Sequence, residues 1–164
     1  MRLSRQKAVR HWETCLHEAA HADVAEGVGM VVRCARVWDP SSMPPSYTAF
    51  MPAEVGLEKS GMVLAAGRLA EELWGVEGPP PLREDLDGGY GCAGDFRGLA
   101  VRLEDGDDSP EDAWLRCSLA VKAYWEGTGG EARVKAIARR LSLRGGLLGS
   151  EVEAVRREGS YDGT

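Results

Sequence analysis

The pentapeptide HEAAH at residues 17–21 constrains this chain more than any other feature of its sequence. Its two histidines, His17 and His21, are four residues apart. On a helix both imidazoles therefore lie on one face, one turn apart, where they can bind one metal ion. Glu18 follows the first histidine and can point toward a water molecule on that ion. H-E-x-x-H on a helix is typical of zinc-dependent peptide hydrolysis. The chain has three histidines in all, and this motif uses two of them.

The motif needs a helix, and the surrounding sequence predicts one from Arg5 to Glu26. This segment contains neither proline nor glycine and is rich in helix-forming residues. Its apolar residues recur at helical spacing and predict a stripe that faces the core: Val9, Trp12, Leu16, Ala20 and Val24. Gly27 and Gly29 then end the helix. The alternative interpretation is that His17 and His21 are ordinary helix histidines, hydrogen-bonded inside the fold without a metal.

Length, composition and charge favour one domain over residues 1–164. With 164 residues, of which 43% are hydrophobic, the chain is long enough to form a core of its own. Its net charge of −6 gives no support for a nucleic-acid partner. No stretch approaches the roughly 20 apolar residues of a membrane span. The basic N-terminus leads into an amphipathic helix instead of an apolar signal core. We therefore expect a cytoplasmic protein without nucleic-acid or membrane partners.

The four cysteines are scattered along the chain and form no C-x-x-C pair: Cys15, Cys34, Cys92 and Cys117. A cysteine-rich structural zinc site is therefore not expected. Reduced thiols are the expectation for a cytoplasmic protein. Cys15 and Cys92 lie near candidate metal ligands in the sequence, so each of them stays an alternative ligand.

The rest of the sequence predicts a small sheet and several more helices. Met30–Trp38 is predicted as a strand, with Tyr47–Met51 as a second strand that pairs back on it. Ala53–Trp74 is predicted as a helix, although its glycines weaken it. From Val76 to Gly94 the sequence predicts a long loop, a feature that is often functional.

Helices are predicted for most of the second half. One begins at Asp95, and another begins at Pro110, with Ser109 as its N-cap, and runs to about Glu126. A third spans Glu131–Leu143, and Ser150 with Glu153 predicts a capping box for a short last helix. The predicted fold class is α+β and predominantly helical: an HExxH helix, a small β-sheet and a C-terminal helical bundle.

A catalytic zinc ion needs three protein ligands and one open position, so a third ligand must come from elsewhere in the chain. A glutamate on a second helix is a common solution, which makes the adjacent pair Glu71 and Glu72 attractive. Ligand chemistry alone does not decide among the candidates, which are Glu71, Glu72, Asp85, Asp87 and Asp95, with His11 as a weaker candidate.

Three segments resemble, in the same order, the peptidase domain of the FtsH family of ATP-dependent zinc proteases. They are LHEAAHADV at residues 16–24, AAGRLAEELWG at 65–75 and GCAGDFRGLA at 91–100. Ala20 replaces the family's usual glycine. The resemblance implies Zn²⁺ as cofactor, bound by His17, His21 and Asp95. It also implies that Glu71 and Glu72 support the site or the fold.

The resemblance implies an endopeptidase that hydrolyses peptide bonds in flexible or unfolded polypeptides. Zinc would lower the pKa of a bound water to about 7, and Glu18 would act as the catalytic base. The strand at Met30–Trp38 is a candidate edge for holding substrate, with an ordinary buried strand as the alternative. The chain has no G-x-x-x-x-G-K-[ST] phosphate loop, so we expect it to act without ATP.

Two other functions stay open. One is a zinc-binding regulator or adaptor with little or no turnover, and the other is a peptidase subunit that needs a separate ATPase or adaptor. The intact Glu18 favours an active enzyme over a regulator, because a site without turnover has no need of a base. The sequence leaves the oligomeric state and the cleavage specificity open.

Overall fold

A computed structural model of the chain describes residues 5–38, 46–51, 54–76, 95, 97–100 and 109–159. Its helices are α1 (Arg5–Gly27), α2 (Leu57–Trp74), α3 (Pro110–Thr128), α4 (Gly130–Arg144) and α5 (Gly149–Gly159). Asp95 and residues 97–100 are also helical. Its strands are β1 (Val32–Arg36), β2 (Tyr47–Phe50) and β3 (Gly146–Leu148). The fold is α+β and predominantly helical, as predicted.

The three strands form an antiparallel sheet in the order β2-β1-β3. Ala35 of β1 is paired with Thr48 on one side and with Leu147 on the other. The pairing of β2 with β1 is confirmed, but β3 was not predicted from the sequence. Because β1 is hydrogen-bonded on both sides, the prediction that Met30–Trp38 offers an open edge is wrong. In the described part of the sheet, β2 and β3 are the outer strands.

Helix α1 lies at the centre of the fold. Every residue from Cys15 to Ala25 is buried, which is more than the predicted apolar stripe requires. The reason is that α1 packs against α2, α4, α5 and the sheet, so the HEAAH segment is covered on several sides. The described residues contain no helix long and apolar enough to span a membrane.

Buried polar groups hold the C-terminal helices against α1. The Asp23 carboxylate is fully buried and accepts hydrogen bonds from Nε of Arg133 and Nε of Arg156, both at 2.8 Å. It also accepts one from Nε1 of Trp125 at 3.1 Å. These three donors come from α4, α5 and α3. The Asp23 carboxylate, two residues after His21 on α1, therefore orients all three helices.

The predicted helix boundaries are partly confirmed. Ser109 caps α3, because its hydroxyl accepts the backbone N–H of Asp112 at 3.2 Å. The predicted capping box at Ser150 and Glu153 is wrong, because α5 begins at Gly149 and Ser150 lies inside it. Instead Glu151 accepts the backbone N–H of Leu148 at 2.8 Å.

The early start of α5 follows from its contact with β1. A Cβ on Gly149 would lie 1.8 Å from the carbonyl oxygen of Val32. The chain therefore turns from β3 directly into α5 at a position where only glycine fits. The helix predicted from Ala53 begins later than expected, at Leu57, because residues 54–56 are not helical. Other predictions fall on undescribed residues: the loop over residues 77–94 and the helix beyond residue 100 lie outside the described ranges.

Candidate metal centre

The two histidines of the HEAAH motif and Asp95 come together at one point. Both histidines are buried on α1, and their Nε2 atoms are 2.9 Å apart. Oδ2 of Asp95 lies 3.2 Å from Nε2 of His17 and 3.2 Å from Nε2 of His21. Within the ranges that the structure describes, this is the only group of three His, Cys, Asp or Glu residues arranged to hold a metal ion.

The other ring nitrogens of the histidines face acceptors on α2. Nδ1 of His17 lies 2.7 Å from Oε1 of Glu71, and Nδ1 of His21 lies 2.6 Å from the carbonyl oxygen of Val63. A carboxylate and a carbonyl oxygen only accept hydrogen bonds, so Nδ1 is the protonated nitrogen in each ring. When the rings are neutral, their Nε2 lone pairs therefore point toward Asp95.

Three electron-pair donors at such short separations repel one another unless a cation lies among them. Tetrahedral zinc with bonds of 2.0 to 2.1 Å places its ligand atoms about 3.3 Å apart. The observed separations of 2.9 and 3.2 Å are within a few tenths of an ångström of that spacing. Two imidazoles and one carboxylate, with their outer hydrogen bonds satisfied, fit zinc in both chemistry and size.

The pKa values at the centre are shifted by the same arrangement. Burial alone would lower the pKa of His21, but the charge and hydrogen bond of Asp95 outweigh it, and the pKa is raised. Burial alone would raise the pKa of Asp95, but His21 and His17 hold it well below its usual range. Both shifts show that this pocket favours positive charge between the three residues, which a proton supplies when no metal is bound.

Glu18 is buried beside the centre and has a partner that the sequence did not reveal. Its Oε2 atom accepts a hydrogen bond from the Thr48 hydroxyl at 2.7 Å. The same hydroxyl lies 3.0 Å from the Glu18 carbonyl oxygen. Glu18 also raises the pKa of His21 through its charge, although it is not one of the three converging residues. Thr48 lies on β2, and only the packing of β2 against α1 brings it to Glu18.

Two glycines of α2 let side chains from other elements lie close to its backbone, and one of them, Gly67, does so at the centre. A Cβ on Gly67 would lie 2.6 Å from both Cε1 and Nε2 of His17. A Cβ on Gly61 would lie 2.5 Å from Sγ of Cys117 and 3.3 Å from Cδ1 of Leu99. The glycines that weaken the helix prediction therefore have a packing role, because they let side chains from other elements lie against the α2 backbone.

The remaining candidate ligands that the structure describes do not join the centre. Glu72 is exposed on α2. His11 lies 3.8 Å from Sγ of Cys15, and burial, with a contribution from Glu18, raises the pKa of that thiol to about 12. Cys15 is not one of the three residues whose ligand atoms converge. Asp85, Asp87 and Cys92 lie outside the described residues.

A comparison with models of known protein families and a comparison with curated proteins found no match to this chain. The resemblance to FtsH-type peptidases therefore stays a prediction that depends on the three sequence segments. The class of site follows from its groups: a buried centre of two histidines and one aspartate, with a glutamate beside it.

Proposed function

We propose that this protein is a zinc-dependent endopeptidase that acts on flexible or unfolded polypeptides. The observation that supports this most strongly is the convergence of Nε2 of His17, Nε2 of His21 and Oδ2 of Asp95, with Glu18 buried next to them. Three protein ligands that leave a fourth position for water are typical of catalytic zinc. Structural zinc sites use four protein ligands instead.

The residues around the centre have distinct roles in this proposal. Zinc, when bound, supplies a Lewis acid and lowers the pKa of its water to about 7. Glu18 accepts the proton of the attacking water and later passes it to the leaving amine. The Thr48 hydroxyl, 2.7 Å from the Glu18 carboxylate, orients that base. Glu71 and the carbonyl oxygen of Val63 keep His17 and His21 in the tautomer that binds metal.

The sheet supports a preference for extended substrates. β2 is an outer strand of the described sheet, and its residue Thr48 contacts Glu18. A polypeptide that adds to β2 as a further strand runs past the catalytic base. Only a flexible or unfolded segment can pair in this way, so compact folded proteins are poor substrates and ATP has no effect on the isolated chain.

The setting of the enzyme follows from the same proposal. The described cysteines Cys15, Cys34 and Cys117 are free thiols, which suits the reducing cytoplasm. A separate ATPase or adaptor would extend the substrate range to folded proteins. A pull-down that recovers such a partner would place this chain among peptidase subunits.

Metal analysis and proteolysis, measured on the same samples, test the proposal. The wild-type chain is expected to bind one zinc ion and to cleave casein. His21→Ala and Asp95→Ala are expected to lose both properties, whereas Glu126→Gln, which changes an exposed carboxylate on α3, keeps both. Full zinc retention in His21→Ala and in Asp95→Ala would reject the ligand set. A zinc-loaded wild type that cleaves no peptide of a broad library would favour the regulator.

A further inference from the structure

We propose that Leu99 is the positioning residue that delivers Asp95 to the histidines and so sets the metal affinity of the centre. This inference rests on the metal centre of the proposed function. The two histidines lie on α1 in the middle of the main core. Asp95 comes from a different part of the chain, so its position depends on separate packing.

Leu99 is suited to this role by its spacing and its burial. It is four residues after Asp95 in a helical segment, so both side chains lie on one helix face. The Leu99 side chain is buried, with 1% of its surface exposed. The Asp95 carboxylate contacts the two histidines, and the Leu99 side chain, one turn later, is buried in the protein interior.

Leu99 belongs to a small apolar cluster that is distinct from the main core. We name it the second cluster, and its members are Ala65 of α2, Leu99, and Ala113, Trp114 and Cys117 of α3. The main core contains the residues around His17 and His21 but not Leu99. The third ligand is therefore held by a group of contacts different from the group that holds the first two.

Helix α2 joins these two groups of contacts. Cδ1 of Leu99 lies 3.3 Å from the position of a Cβ on Gly61, so it packs directly on the α2 backbone. The same helix supports His17 through Gly67 and Glu71, and it supports His21 through the carbonyl oxygen of Val63. The distance from Asp95 to the histidines is therefore fixed by how Leu99 lies on α2.

The packing around Leu99 leaves room for movement if its side chain is shortened. A cleft of about 370 Å³ borders Leu99 between the start of α2 and α3. Its lining includes Leu57, Ala113 and Cys117. A truncated side chain at position 99 would lose contacts with the second cluster and gain open space. The segment that carries Asp95 would then shift relative to α1.

The experiment compares Leu99→Ala and Leu99→Val with Leu141→Ala. Leu141 is fully buried in the main core on α4, so its truncation destabilises the fold without touching the second cluster. Zinc affinity is measured by competition with a chelator. In the metal-free proteins, the ¹H–¹⁵N signals of the His17 and His21 rings are recorded, with Asp95→Asn as the reference for a displaced carboxylate.

Leu99→Ala is expected to bind zinc about 10- to 100-fold more weakly, with Leu99→Val between it and wild type. The ¹H–¹⁵N chemical shifts of the His17 and His21 rings in the Leu99 variants are expected to change in the same direction as in Asp95→Asn. Leu141→Ala keeps its zinc affinity within about twofold, because Leu141 belongs to the main core and not to the second cluster that holds Asp95. If Leu99→Ala fails to fold, Leu99→Val decides the question.

Wild-type zinc affinity with unmoved ring signals in the Leu99 variants would overturn the inference. An equal loss of affinity in Leu141→Ala would overturn it as well, because the effect would then reflect general destabilisation. A wild-type chain that binds no zinc would reject the proposed function separately. The ring signals, recorded without metal, still decide whether Leu99 positions Asp95.

Discussion

Nδ1 of His17 lies 2.7 Å from Oε1 of Glu71, which joins the first histidine of the HEAAH motif to a carboxylate 54 residues later. The contact fixes which ring nitrogen of His17 carries the hydrogen and stops the ring from turning. It also explains why only one of two adjacent glutamates has this role. Glu71 faces α1, whereas Glu72 is exposed to solvent.

Removal of the Glu71 carboxylate should therefore weaken the metal site. Glu71→Ala is expected to lower zinc affinity about 10- to 100-fold, the usual effect of losing a hydrogen-bond partner behind a ligating histidine. Glu71→Gln should lose less, because an amide oxygen still accepts the Nδ1 hydrogen. Chelator competition measures both values, with Glu72→Ala as the matched control. A larger loss in Glu72→Ala than in Glu71→Ala would contradict this assignment.

Glu18→Gln separates catalysis from metal binding. The amide has nearly the size of the carboxylate, and its oxygen can still accept a hydrogen bond from the Thr48 hydroxyl. Zinc content and melting temperature should therefore change little. The rate of casein cleavage should fall roughly 10²-fold or more, because an amide does not accept a proton at neutral pH. Parallel measurements of zinc and rate check the prediction. Wild-type cleavage by this variant would exclude Glu18 as the base.

Thr48→Val tests the hydrogen bond between the Thr48 hydroxyl and the Glu18 carboxylate. Valine keeps the shape of the side chain and removes the donor, so kcat should fall roughly tenfold while KM and zinc affinity stay nearly constant. Thr48→Ser keeps a hydroxyl and should restore most of the rate. An equal loss of kcat in both variants would show that packing of β2, and not the hydroxyl, supports the site.

The local structure of this protein is readable from its sequence wherever short-range chemistry decides it. Helix α1 follows from an uninterrupted run of helix formers, and the start of α3 follows from the Ser109 cap before Pro110. The pairing of β1 with β2 follows from the strand patterns of two neighbouring segments, which ten residues connect. Each of these features depends on residues that are close in the sequence.

Features that depend on distant residues were not predictable in the same way. β3 is only three residues long and exists because β1 offers a partner. No sequence pattern around Thr48 predicts its hydrogen bond to Glu18. None around Asp23 predicts its hydrogen bonds with Arg133 and Arg156. At the centre, spacing predicted the pair of histidines. The choice of Asp95 came from the family resemblance, because an aspartate elsewhere in the chain has no local signature as a ligand.

Metal binding should depend on pH with a definite sign. The pKa of His21 is raised in the metal-free fold, where burial opposes the proton but Asp95 outweighs it. This proton stabilises the metal-free fold below the raised pKa, and its contribution disappears as the pH rises through that value. Zinc needs the unprotonated nitrogen, so its binding strengthens over the same range.

Melting temperatures measured with and without zinc between about pH 6 and pH 8.5 test this prediction. The difference between the zinc-loaded and the metal-free protein should widen as the pH rises. Glu126→Gln, which changes an exposed carboxylate on α3, is the control and should widen as the wild type does, whereas His21→Ala binds no zinc and should show no difference at any pH. A difference that is constant across the range in the wild type would contradict proton competition at His21.

Gly67→Ala should disrupt the centre, although alanine is the better helix former. A Cβ at position 67 would lie 2.6 Å from the His17 ring, which is packed between α1 and α2 and has little freedom to move. Overpacking of this kind costs about 1 to 3 kcal/mol, and the displaced ring should also lower zinc affinity. Thermal unfolding and chelator competition measure the two effects.

Gly127→Ala provides the matched control on α3, because nothing lies within 4 Å of the added Cβ. At that position alanine should stabilise the protein by about 0.5 to 1 kcal/mol through its helix propensity and leave zinc binding unchanged. The same substitution therefore has opposite expected effects at two helical glycines. If Gly67→Ala were as stable as Gly127→Ala and bound zinc normally, α2 could not lie as close to His17 as the structure places it.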